Sequence, residues 1–324
     1  MSPALKLAVT LRFLATGMSY RALSFSFRVA HNTISLFVPQ VCQAIVEEYT
    51  DEVFHTPQNP AEWRRVANQF AERWNLPHCC GALDGKHVAI RKPKNSGTLY
   101  YNYKGYFSIV LLALVDANYK FLWVDVGANG ASSDAGVFNR SALEAPLREG
   151  RMGLPDPEPL PHDDRDTPFF IVGDDAFPLR PYLMKPFSHR YLTRPERIFN
   201  YRLSRGRRVV ENAFGILANR FRCLLTTLAT THDTASFVVQ ACLCLHNIMR
   251  MRYPNLQNAD LDIEDNNHQM NPGAWRTLAV MREVEEAGRG PRQTAAGKMM
   301  RMYLKNYFMS AVGSVPWQEA AIDN

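Results

Sequence analysis

GALDGKHVAI (residues 81–90) is an apolar run broken by a polar centre, Asp84 to His87. The stretch from Cys80 to Arg91 is expected to be a strand. An aspartate in a strand bound for the core costs desolvation energy unless a cation or hydrogen bonds compensate. Working outward, residues 104–116 (KGYFSIVLLALVD) are apolar on both faces and so predict a central strand covered on both sides. Asn95, Ser96 and Gly97 mark a turn before it, and residues 120–127 read as the next strand after a hairpin at Asn118. Ser132 or Ser133 can cap a helix running from Asp134 to Arg148. PFFIVGD (168–174) is a short apolar strand ending in a second carboxylate, Asp174. Asp175, followed by Ala176, Phe177 and Pro178, is expected to form a turn. A proline-punctuated basic segment, 178–204, precedes a helix over 205–222 that carries Glu211 and has Val210, Phe214, Leu217 and Phe221 as its core stripe. Residues 234–249 are a further apolar helix. Strands interleaved with helices give an α/β class with a mixed sheet flanked by helices.

Toward the N-terminus, residues 4–16 and 20–27 predict two short helices, separated by Gly17 and Ser19. A third helix opens at 30–35 and runs towards Tyr49, with Pro39 marking a kink or a displaced start. Two short helices and a third that begins with small polar residues suit a helix-turn-helix. His31, Asn32 and Thr33 would then face base edges or phosphates. The same pattern also fits an ordinary helical bundle. The expected divisions are a DNA-binding segment over 1–55, a linker and helix over 56–78, a catalytic domain over 79–250, and a tail over 251–324 with a last helix near 295–308.

Composition narrows the class. The 324 residues are 46% hydrophobic and 21% charged, which fits a folded globular chain. The longest apolar run, Ile109 to Val115, is far shorter than the roughly 20 residues needed to span a bilayer. The expectation is a soluble, intracellular protein without a membrane partner. Six cysteines do not make a disulfide framework. Cys242, Cys244 and His246 could suggest a metal site, but their apolar helical setting favours core thiols. Net charge is +6, with an isoelectric point near 9.0. Between Arg180 and Arg222 there are eleven Lys and Arg against Glu196 and Glu211, that is 11 − 2 = +9. Arginines beside aromatic residues suit phosphate contact, and Arg205, Arg207, Arg208, Arg220 and Arg222 are the candidates.

Asp84, Asp174 and Glu211 form the chemical constellation. Two strand aspartates and a helix glutamate are a donor set for two divalent cations in phosphoryl transfer. Unrelated turn and surface acids would give the same pattern.

Together, GALDGKHVAI (81–90), VGANGASSDAGVF (126–138), IVGDDAFPL (171–179), RGRRVVENAFGILANRFR (205–222) and LCLHNI (243–248) resemble the PIF/Harbinger transposase superfamily. Within it they are most similar to the animal Harbinger transposase-derived nucleases. The similarity is nearly full length, and TLRFLATGMSYRALSFSFRVAHNTIS (10–35) resembles that family's helix-turn-helix segment. The resemblance implies an RNase H-like fold and a DDE triad of Asp84, Asp174 and Glu211, with Asp134 as a fourth metal ligand. It also implies Mg²⁺ or Mn²⁺ as cofactor, DNA as substrate, a Myb-like partner protein and residence in the nucleus, with some protein in the cytoplasm. A homo-oligomer is compatible with it, as is a domesticated factor that binds DNA or protein and no longer cuts. Phe177 and Ser133 depart from the family's usual Tyr and His, and the acidic insertion near 152–166 is longer than expected.

Overall fold

The computed structural model describes residues 1–254, 261–265, 270–276, 281–283 and 293–323. Ser2 caps α1 (Pro3–Thr16) by accepting from Leu5 N–H, and Gly17 ends it in the left-handed region at φ 66°. An added Cβ there would lie 3.1 Å from the Arg222 carbonyl, so the chain end of α1 needs glycine on both counts. Ser19 caps α2 (Tyr20–Phe27). It meets α3 (His31–Val53) at 104°, within the range of a helix-turn-helix corner. α3 continues through Pro39, so that proline marks neither a break nor a start. α4 (Pro60–Trp74) follows, capped by Asn59. No single helix among the described residues is long and apolar enough to cross a membrane.

The sheet begins with β1 (Cys79–Ala89), β2 (Ser108–Val115) and β3 (Phe121–Asn129), paired antiparallel in that order. β2 starts at Ser108, not at residue 104, because 102–106 fold into a tight turn. The helix expected over 134–148 is two, α5 (Asp134–Arg140) and α6 (Glu144–Arg148). Ser141 divides them: its hydroxyl donates to Phe138 O at 2.8 Å and accepts from Leu143 N–H, replacing helical bonds. β4 (Phe170–Val172) and β5 (Leu183–Met184) add to the sheet parallel to β1.

α7 (Arg194–Arg220) starts eleven residues before the expected 205 (205 − 194). The Glu196 carboxylate accepts from Thr193 N–H at 2.8 Å and from its hydroxyl at 2.7 Å, and Pro195 sits in the first turn. The proline that read as punctuation is therefore a helix start. α7 also stops short of Arg222, which begins a 3₁₀ turn. α8 (His232–Arg252), β6 (Arg282–Glu283), α9 (Ala295–Met309) and α10 (Gln318–Asp323) complete the chain. The strand order is β3-β2-β1-β4-β5, with β6 pairing on β1, which is the RNase H-like arrangement.

One hydrophobic core runs from Val9, Leu14 and Phe37 in the N-terminal helices through all of β2 to α8 and Phe308 of α9. Asn247, fully buried on α8, ties three elements together. Its amide donates to Val53 O and Phe121 O, and its oxygen accepts from Phe121 N–H. Packing thus crosses the boundary expected at 55. It also crosses the one at 250, where α9 and α10 lie on α7 through Arg202, Phe199 and Phe308. All six cysteines are free and buried. His246 shares α8 with Cys242 and Cys244 and has its Nε2 2.8 Å from Tyr119 O, a neutral core histidine.

Burial pushes the His246 pKa down to about 3. Its unfolded value is near 6.5. The folded state therefore refuses a proton that the unfolded chain accepts, so stability is full above pH 6.5 and lost as pH falls toward 3. Urea unfolding should show about 2 kcal/mol lost between pH 7 and pH 5 on this account alone. His246→Gln should lower stability at pH 7 yet flatten that slope, and an unchanged slope would assign the pH dependence elsewhere.

Candidate functional site

β1 offers one edge to two different strands. Ala82 pairs with Val172 of β4, whereas Lys86 pairs with Glu283 of β6. Asp84 lies at the fork between them, opposite Ala113 of β2 on the other edge, and is 5% exposed. The chain leaving β4 passes through Gly173 and delivers Asp174 to the same place. Asp134 arrives from the first position of α5, whose turn is capped by Ser133 accepting from Gly136 N–H. Carboxylate oxygens of Asp84, Asp134 and Asp174 all lie within 4.8 Å of one another. Among the described residues no other group of three or more His, Cys, Asp or Glu side chains is arranged to hold a metal. Gly85 makes the convergence feasible: a Cβ there would sit 1.9 Å from Asp134 Oδ1.

Burial, and then the charge of Asp84, raise the Asp174 pKa to about 6. Arg207 and Lys86 pull it back only in part. Asp174 Oδ1 also accepts from Ala176 N–H at 2.9 Å, so this residue forms the turn that was expected of Asp175. Asp175 points away, 3.0 Å from the buried ammonium of Lys185. The space over Gly173 holds the Phe177 ring, which a Cβ would meet at 2.7 Å, and leaves no room there for a metal. Lys86 stands 2.9 Å from Asp84 Oδ2, with both side chains 7% exposed.

Glu211 is not in the three-carboxylate group. It is held by Arg207 at 3.4 Å and Arg276 at 3.2 Å, and it lines an adjoining cleft with Lys86, Phe214, Gly215, Trp275 and Arg276. Lys86 thus belongs to both places. Gly215 faces the Trp275 ring, which a Cβ would meet at 2.6 Å, so its small size serves packing. Lys86 could have been found in the sequence, since it is two residues from Asp84 on one strand and so shares its face. Arg276, 65 positions from Glu211, left no local signal.

The candidate arginines are in different surroundings. Arg205 is buried, with its guanidinium on Glu264 and Asn75. Arg207 is on Glu211, while Arg208 and Arg220 are partly buried, and burial lowers the pKa of both. Arg222 is exposed. Much of the rest of the +9 segment is spent on the fold. Arg194 pairs with Glu319 and Asp323, Lys185 with Asp175, and Arg202 lies buried under the C-terminal segment. The N-terminal unit contrasts with this. His31, Asn32 and Thr33 are exposed at the start of α3, together with Arg12, Arg21 and Arg28, and no acid precedes Glu47.

Comparisons with known proteins give a family and several relatives. The DDE superfamily endonuclease family matches residues 83–247, from the residue before Asp84 through Glu211 to Asn247. The ALP1-like protein of Arabidopsis thaliana is 28% identical over 248 residues, 75% of this chain and 60% of that protein. HARBI1 of Bos taurus, a candidate nuclease by name, is 27% identical over 250 residues, 76% of this chain and 67% of its own. The antagonist of like heterochromatin protein 1 of Arabidopsis thaliana is 24% identical over 249 residues, 75% of this chain and 61% of its own. The match thus spans about three fifths to two thirds of these relatives. No solved structure matches the chain.

Gly85→Ala should displace Asp134 from its neighbours. Calorimetric titration should then show Mn²⁺ affinity falling roughly 10- to 100-fold, the range for a disturbed ligand support. Unchanged affinity in a folded variant would mean that Asp134 is not a ligand.

Proposed function

The chain belongs to the DDE superfamily endonucleases, and from that premise we propose that it is a DNA nuclease working through divalent cations held by Asp84, Asp134 and Asp174. The observation that carries this reading is the meeting of three carboxylates from β1, α5 and the end of β4 around Gly85. Like charges so close, and so buried, call for a cation. Mg²⁺ or Mn²⁺ bound there would acidify a water and offset charge on the scissile phosphate. Asp84, Asp134 and Asp174 would each offer a carboxylate oxygen, Asp134 from the start of α5. Glu211, kept beside the site by Arg207 and Arg276, would be the carboxylate for a second cation. Lys86 holds Asp84 in place and brings positive charge to the cleft where the DNA backbone would lie.

The helix-turn-helix corner, with Arg21, Arg28 and the exposed start of α3, is assigned to DNA positioning. Residence in the nucleus and a Myb-like recognition partner follow from the same reading. A second reading, a factor that binds DNA without cutting it, is favoured by one observation: the Lys86 ammonium already satisfies Asp84.

Nicking of supercoiled plasmid separates the two. The purified protein should nick in Mn²⁺, and Asp84→Asn or Asp174→Asn should reduce nicking to background while leaving fold and DNA binding intact. Wild-type protein that binds DNA and never nicks would select the second reading. Arg21→Gln with Arg28→Gln should reduce the slope of log affinity against log salt by about 2, close to one for each phosphate no longer neutralised. An unchanged slope would move the DNA-binding surface elsewhere.

A further inference from the structure

The connection from β1 to β2, residues 91–107, carries Arg91, Lys92, Lys94 and Lys104 and no acid, a charge of 4 − 0 = +4. Four tyrosines follow the first three of these cations, and Lys104 lies among them. Tyr101 and Tyr103 are exposed, at 44% and 49%. Exposed aromatic rings on a mobile loop would mean little, but this tip is built. Asn102, 1% exposed, accepts on Oδ1 from Lys104 N–H at 3.0 Å and Tyr106 N–H at 3.3 Å, and its Nδ2 donates to Ser108 Oγ. Gly105, at φ 84°, permits the reversal. The turn therefore presents Tyr101 and Tyr103 on either side of a fixed residue, and little entropy remains to be lost on binding.

Cations already lie over these rings. The Lys104 ammonium is 5.4 Å from the Tyr103 centroid, and Arg282 of β6 is 4.3 Å from that of Tyr106. At the foot of the turn is His87, 2% exposed, its ring 6.4 Å from Tyr103 and 6.1 Å from Tyr106. Its Nδ1 is engaged by Ser108 Oγ, whereas its buried Nε2 has no hydrogen-bond partner among the described residues. His87 is three residues along β1 from Asp84, roughly 10 Å at strand spacing, and shares the face of Gly85, over which Asp134 lies.

We propose that this turn is a stacking platform for unpaired nucleotides of the DNA strand beside the reacting phosphodiester. Tyr101 and Tyr103 take the base faces, and Lys92, Lys94, Lys104 and Arg282 take the phosphates. Base faces within a duplex are covered by their neighbours, so exposed rings on a rigid turn select unstacked strand. Cations set among the rings, with no acid in the turn, match alternating bases and phosphates. The proposal rests on the nuclease reading for its DNA and for its distance from the carboxylates.

The test measures binding of a labelled oligothymidylate and of a duplex of equal length in metal-free buffer, with plasmid nicking in Mn²⁺ measured separately. Wild type should prefer the oligothymidylate. Tyr101→Ala and Tyr103→Ala should each weaken it about tenfold and leave duplex affinity unchanged. Tyr101→Phe and Tyr103→Phe should bind as wild type, since a phenyl ring still stacks. All four changes are at exposed positions, and thermal melting confirms the fold. Alanine variants that bind oligothymidylate as wild type does, or that lose duplex affinity in equal measure, overturn the platform even if the protein nicks. Tyrosine-dependent oligothymidylate binding without nicking supports the platform and removes only the nuclease reading.

Discussion

Three carboxylates brought together, two of them buried and Asp174 half-buried, repel one another, and each has given up water to be there. The surroundings of Asp84 answer that constraint. Gly85 removes the side chain that would hold Asp134 away, and the fork between β4 and β6 opens the edge of β1 where the acids meet. Lys86 brings a buried ammonium to Asp84, and Ala176 N–H donates to Asp174. Even so, Asp174 is left with a pKa raised to about 6, the sign of charge not fully compensated. A divalent cation held as proposed would supply what the side chains do not.

The charge of α7 shows the opposite economy. Its arginines look like a surface for nucleic acid in the sequence, yet several are fastened to acids far along the chain. Arg205 meets Glu264 and Arg194 meets Glu319 and Asp323, while Arg276 reaches back to Glu211 of α7. These pairs hold the C-terminal segments onto the core that carries the sheet. Exposed positive charge is concentrated instead at the helix-turn-helix corner and in the turn after β1, on surfaces where few acids compete.

Features that depend on near neighbours were legible in the sequence. The strands at Asp84 and Asp174 could be read because an apolar run, broken by a polar centre in one case and ending in an acid in the other, is a local pattern, and the caps at Ser19 and Ser133 are local too. The start of α7 was misread because Pro195 is ambiguous alone, and only Glu196 reaching back to Thr193 makes it a helix start. Asp134 was named as a fourth ligand, whereas the structure places it in the inner group and Glu211 outside it. That exchange turns on Gly85 and Arg276, whose partners are 49 and 65 positions away (134 − 85; 276 − 211), a separation that periodicity cannot report.

Anomalous diffraction from crystals soaked in Mn²⁺ tests the centre most directly. The account predicts a strong peak coordinated by oxygens of Asp84, Asp134 and Asp174. No peak at that position, or a peak elsewhere with the Lys86 ammonium still on Asp84, would contradict it.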